Sequence, residues 1–291
     1  MKLKLTRRMF GQLAIASTAA AATGYLANRT VAQTNLLNTT NTLLQTNLVN
    51  VLYGIRIEGT GLVLQTLNLV SLVLSDVLNL TNGITLDPGD QLSGFTSLSN
   101  GTLVVAINPS RTRNRDDDYP PRIILLGTPP RTLTVTGLRD KKYVLGDIVG
   151  TRGGSLVGLV YKRNGSPPVR LASINTSTGA LDITDSFRGN QRIRNLTECP
   201  EGNGGTIYTT TVDREGNTVL ADKQLVLGDE NWVSGLGSMA CSSSGEFFVL
   251  GRSRYGSANS LYKVNKSTGE MTLKQAFTPE NNINKITFIH G

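Results

Sequence analysis

The sequence predicts an all-β, five-bladed β-propeller whose two chain ends share one blade. Three observations carry that prediction: a nine-residue Leu-to-Gly frame kept in four copies, starts lying 53, 51, 40 and 47 residues apart, and an unfinished fifth copy. The frame runs from Leu92 to Gly101, Leu145 to Gly154, Leu196 to Gly205 and Leu236 to Gly245. Two places after each glycine stands Leu103, Leu156, Ile207 or Phe247, and three places into each copy stands Phe95, Ile148, Cys199 or Met239. The fifth copy opens at Ile283, has Ile286 in the matching place, and stops at Gly291. Periods of this size belong to folds that repeat one small sheet.

Within a unit, β-type runs such as Phe247–Leu250 and Leu261–Val264 alternate with glycine turns. Asn175–Gly179 and Asn265–Gly269 close a second hairpin, and Val212–Gly216 reads as a shorter version of it. Glycine supplies the positive φ that such tight turns need. Two hairpins make a four-stranded antiparallel blade.

A blade cut off after its first strand would leave an open edge, which natural proteins avoid. Ile283–Gly291 joined to residues 50–91 restores 51 residues, one period, with Val51–Ile55 as the second strand. Sharing a blade between the termini closes the ring. Six blades is the alternative count, and a β-sandwich leaves the nine-residue spacing without a cause. The leucine-rich stretch Leu62–Leu80 contains Gln65, Asn68 and Asp76. Those polar groups argue against a membrane span, and the stretch is assigned to the outer strands of the shared blade.

Three segments follow: residues 1–32, a polar leader at 33–49, and the propeller domain at 50–291. Lys2, Lys4, Arg7 and Arg8 precede a 14-residue apolar run, Leu13–Leu26. About 20 residues are needed to cross a bilayer, so the run reads as a secretory signal, with Thr30–Ala32 as its cleavage end. Thr6-Arg7-Arg8-Met9-Phe10 resembles the bacterial twin-arginine export signal, in which paired arginines precede a phenylalanine two places on. Gly11 and Gln12 stand where that family usually has leucine and lysine. The resemblance implies the twin-arginine translocase as a partner, through Arg7, Arg8 and Phe10, and a periplasmic or secreted destination for a prefolded chain. Residues 33–49 carry no charge and are assigned to a polar spacer rather than a docked helix.

The signal segment also changes the reading of the charge. Residues 1–32 hold five basic and no acidic groups, so the rest of the chain carries 24 basic and 21 acidic residues, a net +3 rather than +8. That balance, with no interleaving of aromatic and basic residues, argues against nucleic acid. Asp116–Asp118 could touch calcium, but no ligand spacing accompanies them and Arg113 and Arg115 oppose it. They read as a solvated loop.

Chemistry in a ring of blades belongs where the inner strands meet the central channel. Two places after each frame start stand Gly94, Asp147, Glu198, Ser238 and Lys285. Asp147 and Glu198 fall in neighbouring blades, and a carboxylate pair about 5–10 Å apart is what acid and base roles in glycoside hydrolysis require. Five-bladed glycan hydrolases use inner-strand carboxylates in this way, an analogy of fold alone. Those enzymes commonly add a third acid and an aromatic lining, whereas this chain is 5% aromatic. Trp232, the only tryptophan, lies four residues before Leu236 beside Asn231. The pair could stack on and hydrogen-bond a ligand, and packing of Trp232 between blades is the equal alternative. The candidate ligand-binding residues are therefore Asp147, Glu198, Asn231, Trp232 and Lys285.

A single histidine, His290, leaves His-based metal and nucleophilic sites hard to build, and the glycines fall at repeat turns rather than in a phosphate loop. No metal or cofactor is expected. The turns Asn175-x-x-Thr178-Gly179 and Asn265-x-x-Thr268-Gly269 resemble those of quinoprotein-type and YVTN-like bacterial propellers. Ile183 and Leu273 replace the tryptophan that continues the quinoprotein pattern, which removes the basis for quinone binding. Cys199 and Cys241 are expected as two buried thiols on adjacent inner strands, with a disulfide as the alternative. The leading functional reading is a non-enzymatic extracytoplasmic module that binds a ligand or protein through its loop face. A carboxylate-dependent glycan hydrolase or lyase and a structural cell-envelope protein are the alternatives.

Overall fold

The computed structural model describes residues 2–3, 51–80, 84–110, 120–127, 129–138, 143–163, 168–187, 193–201, 204–212, 218–220, 223–225, 233–253 and 258–289. These residues form five small antiparallel sheets and a five-bladed propeller. The seam blade is β21 (Lys285–Thr287), β2 (Val51–Glu58), β3 (Gly61–Asn68) and β4 (Leu74–Asn79), from the channel outward. Tyr53 lies opposite Thr287 and Gly54 opposite Ile286, so the chain ends do share a sheet.

The second blade is β5 (Gln91–Ser97), β6 (Leu103–Asn108), β7 (Arg122–Leu126) and β8 (Arg131–Thr134). The third is β9 (Tyr143–Gly150), β10 (Leu156–Lys162), β11 (Arg170–Ile174) and β12 (Leu181–Ser186). The fourth contains β13 (Asn195–Glu201), β14 (Gly204–Val212), β15 (Thr218–Leu220) and β16 (Lys223–Gln224), joined by the two-residue β1 (Lys2–Leu3) on β14. The fifth is β17 (Val233–Cys241), β18 (Phe247–Ser253), β19 (Asn259–Val264) and β20 (Met271–Ala276).

Side chains alternate across a strand, and here both faces are buried, each against a different neighbour. In β6, Leu103, Val105 and Ile107 pack towards the seam blade while Val104 and Ala106 pack towards the third. Phe247 and Phe248 likewise part company, Phe247 towards the fourth blade and Phe248 towards the seam blade. Five apolar clusters result, one in each gap between blades. Runs such as Leu103–Ile107 are continuous rather than alternating for this reason.

Gly101, Gly154 and Gly245 have φ of +81°, +83° and +81°, which places them in the first hairpin turn of their blades. Asn175 Oδ1 accepts from Ser177 N at 2.8 Å and Thr178 N at 3.1 Å, and Asn265 Oδ1 accepts from Ser267 N at 3.0 Å. These asparagines therefore build the outer hairpin turns that the sequence motif marks.

Two expectations need correction in the fourth blade. Gly205 lies inside β14, paired with Pro200, and the turn comes between the paired Glu201 and Gly204. The segment after Val212 joins the second strand to the third, not the third to the fourth.

Candidate functional site

The innermost strands β21, β5, β9, β13 and β17 follow one another around the channel. Three of them, β17, β9 and β5, approach the next blade in the same way. Ser238 Oγ accepts a hydrogen bond from Ile286 N at 3.1 Å. Asp147 Oδ2 accepts one from Leu196 N at 3.0 Å. Gly94 keeps the same appointment without a side chain, since a Cβ there would lie 2.7 Å from Ile148 N. Leu196 is thus the counterpart of Ile286 and Ile148, not of the frame starts Ile283 and Leu145. The frame slips by three residues in the fourth blade, because its turn lies between Glu201 and Gly204, ahead of Gly205.

The slip moves the candidate carboxylates apart. Asn195 takes the place level with Asp147, donating through Nδ2 to Thr210 Oγ1 at 2.8 Å and lying 3.4 Å from Leu236 O. Glu198 stands three residues further along, about 10 Å down the strand and on its opposite face. It turns back to the third blade, where its Oε2 accepts from Arg152 N at 2.7 Å. Gly205 leaves room for it: a Cβ there would sit 2.2 Å from Glu198 Oε1. Burial pushes the Glu198 carboxyl above its ordinary range, against the pull of the Arg152 N–H and guanidinium.

Asp147 instead meets Lys285. Lys285 Nζ lies 3.7 Å from Asp147 Oδ1, with the two side chains 11% and 3% exposed. Lys285 belongs to the seam blade and Asp147 to the third, so the contact spans the second blade. Gly94 makes the crossing possible, since its missing Cβ would fall 3.1 Å from Asp147 Oδ1. Burial raises the Asp147 pKa, while the Lys285 charge and the Leu196 and Ile148 amides draw it down. Such an arrangement holds blades in register; each of its oxygens already faces a donor.

A second polar cluster escaped the sequence reading. Thr206 Oγ1 donates to Glu201 Oε2 at 2.9 Å, and Tyr208 OH donates to Glu201 Oε1. Lys266 Nζ of the fifth blade lies 4.0 Å from Glu201 Oε1 and 5.3 Å above the Tyr208 ring. Burial first, then Glu201, drives the Tyr208 phenol well above its ordinary value. Beside it Cys199 and Cys241 form a disulfide between β13 and β17, with Cα atoms 5.3 Å apart, where two thiols were expected. The same slip explains the error: it lowers Cys199 along β13 until it stands beside Cys241. Bridges of this kind persist in oxidising compartments.

Asn231, Trp232, Asp116–Asp118, His290 and the export motif Arg7, Arg8 and Phe10 lie outside the described residues. Among the described residues no three His, Cys, Asp or Glu side chains are placed to hold a metal ion, and no helix is long and apolar enough to cross a membrane.

No family model matches this chain. No curated protein matches it either. Solved structures resemble it at low identity. A protein of unknown function from Bacteroides caccae is 9% identical over 83% of this chain and 99% of its own, at a TM-score of 0.48. A chain of a nidogen/laminin complex is 12% identical over 81% and 97%, at 0.45. TolB from Acinetobacter baumannii is 12% identical over 82% of this chain and 54% of TolB, at 0.42. Likeness at this level carries no activity, ligand or partner across.

Proposed function

We propose that the protein is a non-catalytic, extracytoplasmic propeller that binds a small ligand or another protein through the loops around its channel mouth. The observation that carries this reading is the engagement of the inner-strand carboxylates. Asp147 is held by Leu196 N and Lys285, and Glu198 by Arg152 N at a different level. Acid–base hydrolysis of a glycan needs two carboxyl groups flanking one bond. The partners these two carboxylates hold serve cohesion between blades instead. Asn231 and Trp232 are the ligand contacts in this reading. The motif Arg7-Arg8-x-Phe10 supports delivery by the twin-arginine translocase to the periplasm or beyond, and the disulfide agrees with that destination.

The test is reducing-sugar release from a panel of polysaccharides, run on wild type and on Asp147→Asn/Glu198→Gln. Neither protein is expected to release sugar. Release by wild type that disappears in the double variant would establish the hydrolase instead. For the transport half, Arg7→Lys/Arg8→Lys should leave the chain in the cytoplasm; unchanged export would remove the twin-arginine assignment.

A further inference from the structure

The fourth blade is incomplete in a particular place. In the other blades the third strand runs along the second from its first residue. Leu103 pairs with Leu126, Leu156 with Ile174 and Phe247 with Val264. Ile207 is the counterpart of those three residues, yet β15 reaches only Thr210, Thr211 and Val212. Among the described residues, the outer edge of β14 at Ile207 and Tyr208 is paired by β1 alone, Leu3 opposite Ile207 and Lys2 opposite Tyr208. The pairing is antiparallel, as a third strand requires. Leu3 therefore stands at the register position that Leu126, Ile174 and Val264 hold elsewhere.

We propose that the edge of β14 around Ile207–Tyr208 is a strand-acceptor slot, and that the chain's own amino-terminal segment, through Lys2–Leu3, fills it as a surrogate third strand. The chemistry is that of β-augmentation: an extended segment supplies main-chain donors and acceptors to a sheet edge that lacks them. It is indifferent to most side chains, which suits a segment whose composition is set by export rather than by packing. An unfilled sheet edge recruits other strands. Loss of residues 1–32 thus converts a closed blade into one with a free edge, and links leader removal to the opening of a peptide-binding surface.

Amide hydrogen exchange on the full chain tests this. In wild type the Ile207 and Tyr208 amides, one facing β13 and the other β1, should both be protected to the level of β18. Leu3→Pro removes a donor and breaks the added strand, so exchange of the outward amide at Ile207–Tyr208 should rise about tenfold while β18 and β19 stay unchanged. A synthetic peptide of residues 1–10 added to that variant should restore protection, and the same peptide carrying Leu3→Pro should not. An outward amide at Ile207–Tyr208 that exchanges freely in wild type would overturn the proposal without recourse to any variant. So would a Leu3→Pro chain with wild-type protection.

Discussion

Removing the charge of Lys285 is the sharpest probe of the channel. At 3.7 Å, the separation of Nζ from Asp147 Oδ1, a unit charge pair is worth about 4 kcal/mol at an effective dielectric constant of about 20. Leaving the partner of a buried pair uncompensated typically costs about 3–5 kcal/mol, so Lys285→Met should destabilise the fold by that amount near neutral pH. For a domain this large that is a fall in Tm of about 10 °C. The pH dependence carries a definite sign. Burial already raises the Asp147 pKa above 3.8, and loss of the lysine removes its largest opposing influence. A carboxyl with a raised folded pKa favours folding when protonated, and that contribution drains away as pH rises from the unfolded value through the folded one. The penalty in Lys285→Met should therefore be largest near neutrality and fade towards about pH 4. Asp147→Asn/Lys285→Met should recover much of the loss. Urea unfolding of wild type, Asp147→Asn, Lys285→Met and the double variant at several pH values gives the coupling directly. A penalty below about 1 kcal/mol, or one that stays flat with pH, would refute the buried pair.

Two further outcomes follow from the same ring. Cys241→Ser, or reduction of wild type, should cost about 4 kcal/mol for a bridge closing a separation of 42 residues, read as a lower Tm; equal Tm values with and without reductant would contradict it. Gly94→Ala should cost about 1–3 kcal/mol, because its Cβ would lie 2.7 Å from the Ile148 amide nitrogen, and the urea midpoint should drop with the slope unchanged.

Much of this architecture was legible because glycine marks the same turn in three blades. Gly101, Gly154 and Gly245 all need positive φ, so the nine residues before each are in true register. Gly205 breaks the rule, since it lies within a strand where its missing side chain makes room for Glu198. The spacing to Leu196 is a coincidence of length, and everything placed by it moved: Glu198 left the level of Asp147, and Cys199 came beside Cys241. Gly202-Asn203 between Glu201 and Gly204 was the available signal, a two-residue hairpin in its own right. The Lys285–Asp147 contact was out of reach for a different reason. It joins blades that are not neighbours, and the vacancy at Gly94 that permits it is visible only once three strands stand together.

The seam has a consequence for how this chain comes to be folded. Tyr53 waits for Thr287, 234 positions later, before its strand has an inner neighbour. Pairings that distant form slowly, and until they form the early strands expose an adhesive rim. The circle can therefore latch only once Lys285–Thr287 have been made, and until then the waiting strand edges are open to wrong pairing.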